Sequence, residues 1–190
     1  MAVAVRLDEL ATSVLDAIRR KALHTERNFR LASGKTSPYF LDMKAVLTDG
    51  SDTLRKVAEL MLDKIPESAT AVGGLAMGAI PIATEIVSRN NAARQNRPLH
   101  FFWVRSEAKT HGLGGSISGT LFRGDRVVIV DDVTTEGNSA MKAVNATVEA
   151  GAEILKILTI VDREEGASAA FAKLGLTFEP LFRKSQILSK

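Results

Sequence analysis

Two adjacent carboxylates, Asp131 and Asp132, close a run of β-branched apolar residues, Val127 to Val130, within the stretch RVVIVDDVTTEGNS, residues 126–139. Val133, Thr134, Thr135, Glu136 and Gly137 follow, and a helix-like segment begins near Asn138 and Ser139. A buried strand that ends in carboxylates and turns through small residues into a helix is one way to build an anion site. N–H groups of the turn and the helix N-terminus face a phosphate. The carboxylates stand at the carboxyl end of the strand, where open α/β sheets hold ligands. The plainer alternative is a strand–turn–helix connection whose acids only cap the helix. The whole pattern, more than the acid pair, favours a phosphate-sugar site.

A second stretch repeats the plan. Thr70 to Gly74 reads as a buried strand running into the glycine-rich loop GGLAMGAIP, residues 73–81, with Ala76, Met77 and Gly78 at its centre. Glycines there allow backbone to approach a ligand closely. On neighbouring parallel strands the two loops would form a two-part phosphate cradle. Arg105, Lys109 and His111 precede Gly112, Gly114 and Gly115. Cations on such a loop suit either a mobile lid over a polyanion or a solvated hairpin tip. Arg163 follows the apolar run Ile154 to Val161 and could bind a ligand carboxylate or pair with Glu164 or Glu165. Tyr39 and Phe40 lie in FRLASGKTSPYFLDMK, residues 29–44. That segment reads equally as a hairpin with an aromatic plug or as a lid over a planar ligand.

The elements that must position these groups follow from periodicity. Leu7, Leu10, Ala11, Val14, Leu15 and Ile18 predict an amphipathic helix over 7–22. Phe29 and Leu31 predict a short strand, Ser33-Gly34-Lys35 a turn, and Tyr39 to Met43 an extended segment. After the turn at Asp49-Gly50-Ser51, the spacing of Leu54, Val57, Ala58, Met61 and Ile65 predicts a helix ending before Pro66. Further helices are expected at about 80–89, beyond Ser139 to Gly151 as C′ glycine, and at 167–174. Strands are expected at 99–104, 117–121, 154–161 and, as an edge, 178–182. The alternation from residue 54 onward implies an α/β fold, a mostly parallel sheet with helices on both faces. Without repeat, low-complexity tract or linker, residues 1–190 read as one domain, with about 1–45 forming an N-terminal helix and hood.

Composition bounds the classes. Of 190 residues 45% are hydrophobic and 25% charged, an ordinary globular balance with enough apolar side chain for a core. A net charge of +3 argues for neither nucleic acid nor membrane. The absence of cysteine excludes a disulfide scaffold and a thiolate metal site and suits a reducing compartment. MAVAVRLDEL is too poor in apolar residues for a signal peptide, and residues 71–83, broken by glycines and Pro81, are too short to span a bilayer. A cytoplasmic protein is expected.

VVIVDDVTTEGNS resembles the phosphoribosyl-diphosphate (PRPP) signature of type I phosphoribosyltransferases. SGKTSPYF, RSEAKTHGLGG and DREEG, in this order and spacing, resemble the orotate phosphoribosyltransferases across residues 20–170. The resemblance implies that fold and transfer of 5-phosphoribosyl from PRPP to orotate. Asp131 and Asp132 would hold the ribose hydroxyls, Thr134 to Ser139 the 5′-phosphate, and Ala76, Met77 and Gly78 the pyrophosphate. Arg105, Lys109 and His111 would sit on a catalytic loop that reaches the neighbouring subunit of a homodimer. Thr135 and Arg163 would contact orotate under Tyr39 and Phe40, and Mg²⁺ would be carried by PRPP rather than by the protein. No covalent nucleophile is required. Pyrophosphate departure leaves an oxocarbenium-like ribose, favoured by the two aspartates and by cations at the leaving group. Three positions depart from the family by losing positive charge: Ser106 follows the loop arginine, Ala32 precedes Ser33, and Met77-Gly78-Ala79 contains no lysine. Lys35 stands close to one of them. The rival readings are a purine-base phosphoribosyltransferase and a PRPP-sensing regulator that binds nucleic acid.

Overall fold

The computed structural model describes residues 2–30, 36–107 and 116–189. Helix α1 (Ala2–Ala17) continues through a wider helical turn, Ile18–Ala22. Four two-residue strands follow: β1 (Leu23–His24), β2 (Phe29–Arg30), β3 (Thr36–Ser37) and β4 (Phe40–Leu41). They pair antiparallel as β1–β4 and β2–β3. The rest of the chain runs α2 (Lys44–Leu47), α3 (Thr53–Lys64), β5 (Ala71–Leu75), α4 (Ala79–Ala93), β6 (His100–Val104) and β7 (Ile117–Gly119). Then come β8 (Arg126–Thr134), α5 (Asn138–Glu149), β9 (Glu153–Asp162), α6 (Ala167–Lys173), β10 (Phe178–Arg183) and α7 (Lys184–Leu188).

Six strands form the central sheet in the order β10-β9-β8-β5-β6-β7. All neighbours are parallel except β6–β7. Side chains alternate across a strand, so β8 supplies both layers. Val128 and Val130 join Val14, Val57, Met61 and Ile82 on the face covered by α1, α3 and α4. Val127 and Ile129 join Ala140, Ala143 and Phe171 on the face covered by α5 and α6. Burial on both faces is why β8 and β9 read as largely apolar runs, interrupted in β9 by Lys156 and Thr159.

Local chemistry sets the helix ends. Ile65 takes an extended conformation before Pro66 and stops α3. Pro81 lies in the first turn of α4, where its missing N–H costs no helical bond. Gly151, at φ 84°, closes α5 as expected.

Several elements differ from the sequence expectation. The helix expected over 7–22 starts at Ala2, and α4 runs four residues past Arg89 to Ala93. The extended segment expected over Tyr39 to Met43 holds only the two-residue β4 and turns helical at Lys44. β7 stops at Gly119, which has φ 87° and lies so close to Phe101 that a Cβ would strike its carbonyl. β8 does not end at the carboxylates but continues to Thr134, because β9 keeps pairing with it as far as Thr134 opposite Asp162. α7 was not foreseen. The expected turn at Ser33-Gly34-Lys35 and residue Leu31 lie outside the described residues.

Candidate active site

The sheet order places a switch point between β5 and β8. From β5 the chain leaves through α4 to β6 on one side. From β8 it leaves through α5 to β9 on the other. Loops diverge there at the carboxyl ends and open a crevice, the usual ligand position in such sheets. The two small-residue loops singled out in the sequence are the ones that flank it.

These loops touch. A Cβ on Gly78 would lie 2.5 Å from Asp132 Oδ1, so only glycine lets the β5–α4 loop pack on that carboxylate. Asp132 Oδ1 also accepts the Val133 N–H at 2.9 Å. The Ala76–Met77 peptide is cis. A cavity of about 420 Å³ opens beside this contact, lined by Met77, Gly78, Pro81, Asp132, Lys44 and Thr48 among others.

Asp131 and Asp132 are consecutive on β8 and so point to opposite faces. Asp132 is half-buried at the cavity, whereas Asp131 is 6% exposed and faces the α5 side. Burial, reinforced by the neighbouring Asp132 charge, pushes the Asp131 carboxyl well above the usual carboxylate range; the Asp132 N–H, donated to Asp131 Oδ1 at 3.0 Å, opposes the shift. The pair is therefore asymmetric, one outward acid and one that favours its protonated form.

Past Thr134 the chain makes the turn 135–137 into α5, with Gly137 at φ 88° and packed on Phe171. Thr134 ends the strand and is buried, its hydroxyl without a hydrogen-bond partner among the described residues. The open part of the expected phosphate turn is thus Thr135 to Ser139, at the N-terminus of a twelve-residue helix. Asn138 donates to Glu136 at 3.4 Å.

Arg163 completes the crevice on the β9 side. Its N–H donates to Thr134 O at 2.9 Å, and Ala167 N donates to Thr135 O at 3.2 Å, which joins the two turns. The guanidinium is buried, 6% exposed, and held three ways. Nε donates to Tyr39 Oη at 2.9 Å, Nη2 pairs with Glu165 Oε1 at 3.0 Å, and Nη2 reaches Ser37 Oγ at 3.4 Å. The cation also lies over the Tyr39 ring, 4.6 Å from its centre. Of the two sequence alternatives for Arg163, the pairing with Glu165 is the one present in this structure. Glu164, at φ 56°, is fixed by Asp162 Oδ1 and by Ser185, so the turn carrying Arg163 is braced on each side.

The aromatic pair divides its work. Tyr39 is buried against Arg163, and burial raises its hydroxyl pKa despite the adjacent cation. Phe40 is exposed and stacks on Phe29, with centroids 5.7 Å apart. Ser37 had drawn no attention in the sequence, although a serine ahead of Pro38 is turn chemistry. Its hydroxyl donates to Tyr39 O at 2.7 Å and fixes the hood residue that braces Arg163. Arg105 is half-buried just past β6, its N–H bonded to Ser116 O at 2.8 Å. Lys109 and His111 lie outside the described residues. Among the described residues no cluster of three or more His, Cys, Asp or Glu could hold a metal, and no helix is long and apolar enough to cross a membrane.

The arrangement can seat a phosphate at the α5 turn, polar hydroxyls at Asp132 and a planar anion at Arg163. The chain is similar to known proteins. The model of the phosphoribosyl transferase domain matches residues 45–173. An orotate phosphoribosyltransferase of Rhodopseudomonas palustris is 42% identical over 165 residues, covering 84% of this chain and 87% of that protein. The crystal structure of Mycobacterium tuberculosis orotate phosphoribosyltransferase with Fe(III) dicitrate superposes with a TM-score of 0.78 at 29% identity, covering 95% of this chain and 99% of that one. The structure of the same mycobacterial enzyme with PRPP gives 0.75 at 27% identity, covering 94% and 98%.

Proposed function

This chain belongs to the phosphoribosyl transferase family and, within it, to the orotate phosphoribosyltransferases, and from that premise we propose how its own residues carry the reaction. The protein is a pentosyltransferase of pyrimidine nucleotide biosynthesis. It transfers 5-phosphoribosyl from PRPP to orotate and yields orotidine 5′-monophosphate and pyrophosphate. The observation that best supports orotate as the acceptor is Arg163, a buried cation braced by Tyr39, Ser37 and Glu165 at the carboxyl end of β9. A fixed guanidinium matches the planar carboxylate that distinguishes orotate from a purine base.

The 5′-phosphate sits on the turn Thr135 to Ser139, where backbone N–H groups and the start of α5 favour an anion. Asp132 accepts hydrogen bonds from the ribose hydroxyls. Asp131, behind it on the other face of β8, holds its proton and leaves the outward charge to Asp132. Ala76, Met77 and Gly78 shape the pyrophosphate end of the crevice. As the bond to pyrophosphate breaks, positive charge grows on the ribose and is met by Asp132. N1 of orotate attacks the anomeric carbon as the bonding pair leaves with pyrophosphate, and the N1 proton passes to the released pyrophosphate or to solvent. Lys109, Arg105 and His111 neutralise the leaving group when their loop closes and excludes water.

Asp132, a carboxylate on the crevice wall, is an oxygen donor of the kind that suits a hard cation brought in by a substrate. Mg²⁺ would be held by PRPP rather than by the protein, and would supply charge neutralisation at the leaving group. The 190 residues work as one domain in a cytoplasmic homodimer, with residues 1–45 as hood and the loop around Lys109 serving the neighbouring subunit. The test is consumption of orotate: mixing enzyme, orotate, PRPP and Mg²⁺ lowers orotate absorbance and releases pyrophosphate. Hypoxanthine, guanine and adenine give no product.

A further inference from the structure

Resting on that reading, we propose that Lys44 is a further pyrophosphate-binding cation of this enzyme, supplied by the hood side of the crevice opposite a glycine-rich loop that has none. The loop Gly73 to Pro81 carries no basic residue. The crevice nevertheless presents a carboxylate to its contents, Asp132, packed on Gly78. A pyrophosphate entering the loop therefore needs a compensating cation from another element.

Lys44 is placed to be that cation. It starts α2, the short helix after the hood strands, and lines the 420 Å³ cavity together with Met77, Gly78 and Asp132. The cavity thus has a hood wall bearing one lysine and a loop wall offering backbone and one acid. Its other polar side chain, Thr48, is committed to the helix, donating to Lys44 O at 2.8 Å. The Lys44 ammonium is 83% exposed, and its partner among the described residues is Asp42 at the long distance of 3.9 Å. An exposed pair of that length holds the lysine weakly. The ammonium is therefore available for a polyanion at little cost. The backbone around it is fixed: Asp42 N donates to Ala22 O at 2.9 Å, and Lys44 N donates to Asp42 Oδ1 at 3.2 Å. The stem is thus rooted while the charge is free.

The test uses the full-length protein with Lys44→Ala, Lys44→Gln and Lys44→Arg. Calorimetric titration with Mg²⁺-pyrophosphate measures the subsite directly, and steady-state kinetics separates the two substrates. Loss of one charge-assisted contact weakens pyrophosphate binding and raises the KM for PRPP by about tenfold in the Ala and Gln variants. The KM for orotate and the melting temperature stay at wild-type values, and Lys44→Arg recovers binding to within about threefold. Pyrophosphate binding and a KM for PRPP unchanged in Lys44→Ala would overturn the proposal while leaving the enzyme's function intact. A wild-type protein that binds no pyrophosphate and consumes no orotate would instead overturn the functional reading beneath it.

Discussion

Replacing Arg163 with lysine keeps the charge and removes the fork. In the structure the guanidinium uses Nε for Tyr39 Oη at 2.9 Å and Nη2 for Glu165 at 3.0 Å, and it stacks on the Tyr39 ring at 4.6 Å. A lysine ammonium cannot span Tyr39 and Glu165 while also facing a ligand carboxylate. The stability loss is modest. One neutral-acceptor hydrogen bond contributes about 1 kcal/mol and the ring contact about 1 kcal/mol. The Glu165 pair adds little, because the glutamate side chain is 35% exposed and solvent screens it. About 2 kcal/mol corresponds to a melting shift of roughly 4–8 °C in a chain of this length. The catalytic loss is larger, since a directed contact from a fixed guanidinium to orotate becomes one with no fixed direction. A charge-assisted hydrogen bond contributes about 2–3 kcal/mol, so kcat/KM for orotate falls roughly 30- to 150-fold. The KM for PRPP changes less than about threefold, because the phosphate turn and Asp132 keep their positions. The assay is orotate consumption at varied orotate and saturating PRPP, with uracil as a comparison acceptor that lacks the carboxylate. Preference for orotate over uracil should shrink in Arg163→Lys. Wild-type kcat/KM for orotate in this variant, with the preference unchanged, would refute the assignment of Arg163 to the base pocket.

Other perturbations probe the remaining parts. Gly78→Ala drives a methyl against Asp132 Oδ1; PRPP-dependent turnover should fall at least about tenfold with little change in melting temperature, as initial rates at varied PRPP would reveal. Lys109→Ala should lower kcat by roughly 100-fold or more, the scale of one preorganised electrostatic group, while circular dichroism stays native. Asp131→Asn bears on pH. The folded carboxyl holds its proton to higher pH than the unfolded one, so its contribution to stability is present below the unfolded pKa and lost as pH rises toward the folded one. The substitution should therefore raise the melting temperature of the unliganded protein by a few degrees at pH 7, with the gain vanishing below about pH 4, while activity drops.

Much of the fold was legible because the sheet is buried on both faces. Val127 to Val130 and Ile154 to Val161 could only be interior strands, and the spacing of Leu54, Val57, Ala58 and Met61 could only be a packed helix face. The hood was legible only in part: Phe29 marked β2 and residues 29–44 read as a possible hairpin, which the β2–β3 pairing matches. β1 to β4 are two residues each, too short for any periodicity, and their pairing is set by partners up to 18 residues away, Leu23 with Leu41. α2 escaped for the same reason, and Lys44 with it. At the site, the glycine loop and the acid pair were visible as types and spacing, but their contact, Gly78 on Asp132, needed the strand order β8-β5. The differing fates of Asp131 and Asp132 follow from alternation once β8 is known to continue through them. The bracing of Arg163 by Tyr39 spans 124 residues and leaves no local pattern in the chain.

The central claim is that the crevice between β5 and β8 joins PRPP to a pyrimidine carboxylate. Its most direct test follows orotate absorbance in the wild-type protein as PRPP and Mg²⁺ are added together and singly. The account predicts a fall only when both are present, with one pyrophosphate released per orotate consumed and no reaction with hypoxanthine, guanine or adenine. Steady orotate absorbance alongside conversion of a purine base would contradict it.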